Sequence, residues 1–522
     1  MGRLHLSTLL AAVLLTCGTS FGPATTAAAD TAWPNGPLKT SGRWITDASG
    51  SIVQLAGVNW PAHTAAMIPE GLQYQSVAAI VSRIKQAGFN AVRLTFATEM
   101  VDQIYASGQR GSDVSLGSAL GSVFGSGTGR ALLDQIRKNN PSFNADTSRL
   151  AVFDAVAQEC ARQQIYLHLD NHVSKAGWCC TPLDGNSWWG DTYFDVGNWT
   201  RGLSFMADHG KSWPNLISMA LRNELRPSLT NLTLTGTSYN WATWHTEMKR
   251  GAAAVHDANA NLLIYLSGLD GDTTLAPIVQ GAPLTGTSTS GTAPALFSRD
   301  DFAPGFADKL VLELHVYWNI AGSVGGGNAA ALDASPPTAD CSSLASYLDR
   351  AGFSTLTNST ASQQYPMVLT EFGFDQSASQ VPALLRQPTG YASCLLSYLR
   401  DSKASWMLWA VGGSYYTREG QADADEPWGL LSHDWSQWRA REFVEGRLVP
   451  LVNKTLSVGG SRPPTTGGGG SNGGGGGGQQ QGGGSGGGDG NGSPDALRSR
   501  GLNLRRAAGF AAISGGVLML MA

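Results

Sequence analysis

The sequence predicts an α/β protein, an eight-stranded (β/α)8 barrel of the TIM type that carries a disordered Gly-rich C-terminal tether. Three observations predict it. Eight short apolar runs of strand length recur between residues 32 and 455, helical spacing fills most of the gaps between them, and beyond 455 the apolar pattern gives way to glycine. Eight such repeats in succession close into a barrel more naturally than they spread into an open doubly wound sheet.

The chain of 522 residues opens with Arg3, an apolar run over 9–15 and the small residues Ala27, Ala28 and Ala29. Residues 1–29 therefore read as a cleaved secretory signal peptide, because the run is far shorter than the roughly 20 residues that span a bilayer. Strands are expected at 52–58, 91–96, 165–170, 216–221, 262–267, 310–316, 367–371 and 406–410. Between them, 77–87, 149–162, 199–209, 241–256, 341–350 and 382–400 carry helical spacing. No fifth crossover helix stands out. Residues 275–303 are rich in Thr, Ser, Gly and Pro and read as a long loop with at most a short helix.

After the expected catalytic domain (32–455) comes a Gly/Ser/Gln-rich linker (456–493), where 18 of the 66 glycines fall between Gly467 and Gly492. The small residues around Asn491, a polar spacer and an apolar end then have the order of a GPI-attachment signal, with 494–522 as its propeptide and Asn491 as the attachment candidate. The protein is thus expected to be secreted and held at the cell surface or wall, touching membrane only through a lipid anchor. With 35 Lys plus Arg against 39 Asp plus Glu, nothing favours nucleic acid or an anionic surface. The expected partner is a neutral molecule, and the chain a monomer.

Export suits the cysteines. Without Cys17 there remain Cys160, Cys179, Cys180, Cys341 and Cys394, enough for two bridges and a spare thiol. Pairing of Cys341 with Cys394, and of Cys160 with Cys179 or Cys180, is the expectation, with a vicinal Cys179–Cys180 bridge as the competing one. No second Cys-x-x-Cys or His pair at zinc spacing accompanies them, and no phosphate loop follows a strand, so neither metal nor cofactor is expected. Asn198, Asn231, Asn358 and Asn453 head glycosylation sequons.

In this kind of barrel, polar groups at the C-terminal ends of strands face the functional site. Such ends carry Asn59, Arg93, Asn171, His172, Asn223, Glu224, His315, Tyr317, Glu371 and Trp409. Two carboxylates at two strand ends suggest glycoside hydrolysis, which needs one acid to protonate the leaving group and one to attack or to activate water. Trp60, Trp178, Trp188, Trp189 and Trp318, in loops after strands, could stack on a sugar chain, whereas Trp199, Trp241 and Trp244 sit on expected helices and suit packing.

The ordered pieces GVNW (57–60), NAVRLTF (90–96), LDNH (169–172), RNE (222–224), HVY (315–317), TEFG (370–373) and LWA (408–410) resemble glycoside hydrolase family 5, the cellulase family of clan A. Residues 178–194 and 414–420 look like a eukaryotic secreted cellulase-like subgroup. The resemblance implies Glu224 as acid/base, Glu371 as nucleophile, and Arg93, His172, Asn223, His315, Tyr317 and Trp409 as the groups that support them and bind substrate. Trp188 and Trp189, beside Gly and Asp in a polar loop, are expected as further substrate contacts. The resemblance further implies a retaining β-glycoside hydrolase acting on β-linked glucan, foremost an endo-β-1,4-glucanase. The same barrel also serves β-1,3-glucanases, β-mannanases, β-glucosidases and wall-remodelling transglycosylases, and a non-catalytic wall-binding protein is the reading from another class.

Overall fold

The computed structural model describes residues 33–460 apart from 288–295, 303–304, 318–340, 359–363 and 387–389. The expected signal peptide, nearly all of the linker, the GPI signal with Asn491, and Trp318 lie outside the described residues. A hairpin of β1 (Lys39–Ser41) and β2 (Trp44–Thr46) comes first. The barrel strands follow as β3 (Ala56–Trp60), β4 (Ala91–Ala97), β5 (Tyr166–Val173), β6 (Leu216–Ala220), β7 (Leu263–Ser267), β8 (Leu310–Val316), β9 (Met367–Phe372) and β10 (Ser405–Leu408). All pair in parallel and close in the order β10-β3-β4-β5-β6-β7-β8-β9, the expected (β/α)8 barrel. A second hairpin, β11 (Ser414–Arg418) with β12 (Gln421–Asp425), follows the last strand.

The helices of the first half are α1 (Val77–Gln86), α2 (Thr98–Ile104), α3 (Leu116–Asn139), α4 (Arg149–Arg162), α5 (Val196–His209) and α6 (Leu232–Ser238). Those of the second half are α7 (Trp241–Ala258), α8 (Ala276–Gln280), α9 (Cys341–Leu348), α10 (Ser354–Thr357), α11 (Val381–Arg386), α12 (Tyr391–Ser402), α13 (Arg441–Phe443) and α14 (Val449–Leu456). Helix α4 shows why its bounds could be read. Ser148 accepts a hydrogen bond from the Ala151 amide at 3.1 Å, and Val152, Phe153, Val156, Ala157 and Cys160 then form one buried stripe.

Period-two alternation divides each strand between two cores. On β4, Val92, Leu94 and Phe96 join the cluster beneath the helices, while Ala91 joins a second cluster inside the barrel with Tyr166, Leu263, Tyr265, Val311, Val368 and Met407. Leu38, just before the first hairpin, and Ile45 within it complete this inner cluster and so plug the N-terminal mouth. Polar groups are left for the other mouth.

The structure departs from expectation where side chains replace a ladder or where a pattern is weak. The first barrel strand starts at Ala56 rather than at 52, because Asn90 and Ser405 side chains occupy the backbone groups around it: Asn90 Nδ2 donates to Gln54 O at 2.8 Å, and Leu55 N donates to Ser405 Oγ at 3.0 Å. Helix α3 had no expectation, since its Gly/Ser-rich stretch is kinked at Gly125 and buries few side chains. The fifth crossover is the short α8, five residues long. Among the described residues, no helix is long and apolar enough to cross a membrane.

The bridge from Cys160 to Cys179 or Cys180 is not formed. Cys160 is a free thiol on the buried stripe of α4, Cys179 and Cys180 pair with each other, and Cys341 pairs with Cys394. Asn231, Asn358 and Asn453 are exposed, and Asn198 is half-buried.

Helices α5 and α7 pack so closely that a Cβ at Gly251 would lie 2.5 Å from the Trp199 ring, which is itself pinned by an Nε1 bond of 2.8 Å to Leu221 O. Gly251→Ala is therefore expected to lower stability by about 1–3 kcal/mol despite the gain in helix propensity, measured by urea denaturation.

Candidate active site

Arg93, wholly buried on the inner face of β4, organises the C-terminal mouth. Its Nη1 donates to Asn59 Oδ1 at 2.8 Å and to Glu371 Oε1, and its Nη2 reaches Asn223 Oδ1 and Asp170 Oδ1, each at 3.0 Å. Four strands or strand ends thus meet on one guanidinium. Burial opposes its charge, but Asp170, Glu371 and Glu313 more than offset this and hold it above its ordinary value.

Glu371 reaches that cation through a shift in strand register. Leu314 pairs with Leu369 but His315 pairs with Glu371, so β9 carries one extra residue and its following side chain is turned to the inner face. Tyr317 donates to the other carboxylate oxygen at 3.0 Å. Burial and the two nearby carboxylates, Glu371 and Glu224, raise the Tyr317 phenol well above its usual range, which preserves it as a donor. Burial also raises the Glu371 carboxyl, against the pull of His315 and Arg93.

Glu224 stands four residues past the end of β6 in a left-handed conformation with φ 46°, a local strain of about 1–3 kcal/mol for a residue with a Cβ. Its amide donates to Asp272 Oδ2 at 3.0 Å, and its carboxyl meets His315 Nδ1 at 3.0 Å. Among the described residues no Arg or Lys forms an ion pair with it. Burial raises it to about 7, against the more distant Arg226 and Arg93. One oxygen of Glu224, one of Glu371 and a nitrogen of His315 all lie within 4.8 Å of one another.

The histidines are neutral spacers. Burial lowers His315 to about 4 and His172 well below its ordinary value. His172 Nδ1 lies 2.6 Å from Asp170 Oδ2 and its Nε2 lies 3.5 Å from Asn223 Nδ2, so the tautomer that donates to Asp170 leaves Nε2 to accept. Its ring stacks on Trp409 at 5.4 Å, and Trp409 joins Tyr317, Ala410, Trp178 and Trp428 in an apolar cluster at the mouth.

Arg93, His172, Asn223, Glu224, His315, Tyr317, Glu371 and Trp409 thus come together as expected in position. Asn171 does not join them, since its amide donates outward to Thr98 Oγ1 at 3.0 Å. Trp188 and Trp189 are corrected as well. Both are buried in an aromatic core with Phe194, Trp199 and Tyr239, and Trp188 Nε1 donates to Ser238 Oγ, so neither faces the cleft. Trp60 is likewise buried, bonding Glu70 O. Asp170, Asp272 and Trp428 were missed. Asp170 was open to the period-two rule, being two residues before His172, but no strand pattern marks Asp272 or Trp428, which come from loops.

Residues 46–414 match the family model described as Cellulase (glycosyl hydrolase family 5). A glycosyl hydrolase 5 family protein of Chamaecyparis obtusa is 34% identical over 415 residues, covering 78% of this chain and 65% of that protein. The major extracellular endoglucanase of Xanthomonas campestris is 28% identical over 230 residues, 44% of this chain and 40% of that protein. The matches thus span less than two thirds of either relative. Among solved structures, an endocellulase from Pyrococcus horikoshii in complex with cellotetraose is similar in fold, with a TM-score of 0.54 and 17% identity over 80% of this chain and 98% of that one.

Replacing Arg93 strands Asp170 and Glu371 without a cation in a buried site. Arg93→Met is expected to cost about 3–5 kcal/mol in urea unfolding, far more than loss of an exposed ion pair such as Arg441–Glu445.

Proposed function

The chain belongs to glycosyl hydrolase family 5, and on that premise we propose that it is a retaining β-glycoside hydrolase acting on β-linked glucan as an endo-β-1,4-glucanase. The approach of Glu224 and Glu371 to within 4.8 Å, oxygen to oxygen, carries this reading. Retention needs carboxyls about 5–5.5 Å apart, whereas inversion needs about 6.5–9.5 Å to admit a water between them.

The environments of the two acids support different roles for them. Glu371, paired with Arg93 and bonded by Tyr317, suits the ionised nucleophile that forms the glycosyl-enzyme. Glu224 has no such cation among the described residues and is raised to about 7 by burial, so it holds a proton near neutrality for the departing sugar oxygen. Once Glu371 is esterified its negative charge is gone, which favours ionised Glu224 as base for the incoming water. Asn223, its amide oxygen held by Arg93, turns Nδ2 toward the cleft to meet a sugar hydroxyl, and the Trp409 ring offers an apolar face to the pyranose.

The endoglucanase activity of the Xanthomonas campestris relative supports β-1,4-glucan ahead of the other linkages. We extend the reading to an exported enzyme, since two disulfides suit an oxidising compartment.

Product mapping on cellulose oligomers, mixed-linkage glucan, laminarin and mannan tests the substrate, with internal cleavage of cellulose oligomers expected and release of monosaccharide alone contradicting the endo assignment. NMR of fresh product is expected to show the β-anomer first. Glu224→Gln is expected to lower kcat by about 10²–10⁴-fold. The wild-type rate should fall as pH rises through about 7, because the acid loses its proton there. A rate rising across that interval would remove Glu224 from the acid role.

A further inference from the structure

The Cys179–Cys180 bridge lies beside the Glu224 carboxyl, and its place in the chain argues against a stapling role. Bridging sequence neighbours closes no chain loop, so it restricts the unfolded chain very little, unlike Cys341–Cys394 with a sequence separation of 53. Both sulfurs are only half-buried, and both lie within 4.8 Å of the Glu224 carboxylate.

The surroundings face the pair toward the cleft and hold it still. Asn223 Oδ1 accepts from Arg93, which turns Nδ2 onto Cys180 Sγ at 3.4 Å and Cys179 Sγ at 3.6 Å. Sulfur is a weak acceptor, so this amide hydrogen is readily given up to a hydroxyl oxygen. Arg226 ties the cysteine loop to the acid itself: Nη1 donates to Glu224 O at 2.7 Å, Nε to Thr181 O at 3.0 Å, and Nη2 pairs with Asp184 at 2.5 Å. The neighbouring Trp178, its face covered by Arg418 at 3.7 Å, carries the lining on into the cluster of Tyr317, Trp409 and Trp428.

We propose that the Cys179–Cys180 disulfide is a saccharide-contacting wall of the cleft, lying against the sugar at the bond to be cut and receiving the Asn223 amide that Arg93 turns toward it; this rests on the glycosidase reading. The bridge supplies a compact, polarizable, apolar surface where a C–H face of the sugar passes Glu224. In the absence of substrate its sulfurs accept from Nδ2, a place that a sugar hydroxyl then takes over.

Steady-state kinetics on the oligosaccharide that the wild type cleaves test this with two double variants. C179A/C180A is expected to raise KM about tenfold, the scale of one lost contact, with a melting temperature near that of the wild type. C341A/C394A is expected to melt lower with KM unchanged. Unaltered KM and kcat in folded C179A/C180A overturn the proposal. Should that variant fail to fold, a second measurement decides. With Glu371→Gln holding intact cellotetraose, dithiothreitol is oxidised to its cyclic disulfide as the bridge gains two thiols, which iodoacetamide then labels. Bound cellotetraose is expected to slow labelling of Cys179 and Cys180 about tenfold, and an unchanged rate overturns the wall. A wild-type protein that cleaves none of the β-linked glucans or mannan refutes the glycosidase reading and takes this inference with it.

Discussion

One buried cation sets the geometry of the whole mouth. Arg93 has no exposure to solvent, and a charge in that position is tolerable only while opposite charges and acceptors surround it. Asn59, Asp170, Asn223 and Glu371, from four different parts of the barrel, together satisfy its two terminal nitrogens. Each is thereby oriented by the others. If the Asn223 amide turned over, its NH2 would face Nη2 and leave that nitrogen Asp170 alone, and loss of Glu371 would leave Nη1 only the neutral Asn59. The barrel supplies the rest by closing its lower mouth with apolar side chains and sending polar ones upward.

From this follows an asymmetry between two acids of one residue type. Glu371 touches the cation and a phenol, whereas Glu224 touches a neutral imidazole and is lifted by burial. A second layer of buried acids, Asp272 and Glu313, lies behind them. Burial raises Glu313 to about 8 and raises Asp272 as well, which limits the negative charge near Glu224 at neutral pH. The asymmetry therefore arises from burial and from who neighbours whom, and little from the number of charges.

Much of this was legible in the sequence because strand ends are marked by a change from apolar to polar residues. Each of the eight expected strands overlaps a barrel strand, and eight of the expected site residues meet where the ends do. What was not legible depended on direction. Asn171 and His172 are neighbours at one strand end, yet the pleat sends the first outward to Thr98 and the second inward to Asp170. Glu371 faces inward only because of a register shift that no local pattern announces. Trp188 and Trp189 sit in a polar-looking loop whose aromatic side chains fold under it against α5 and α6. Cys160 read as a bridge partner by count alone, whereas the α4 periodicity already assigned it to the core.

The central claim is that Glu371 attacks and Glu224 does not. A 2-deoxy-2-fluoro β-glycoside with an activated leaving group slows breakdown of a covalent intermediate more than its formation, and so leaves the attacking residue labelled for peptide mass spectrometry. The account predicts a single glycosylated peptide with the label on Glu371. Label on Glu224, or turnover of such substrates with no covalent adduct and an inverted product, would contradict it.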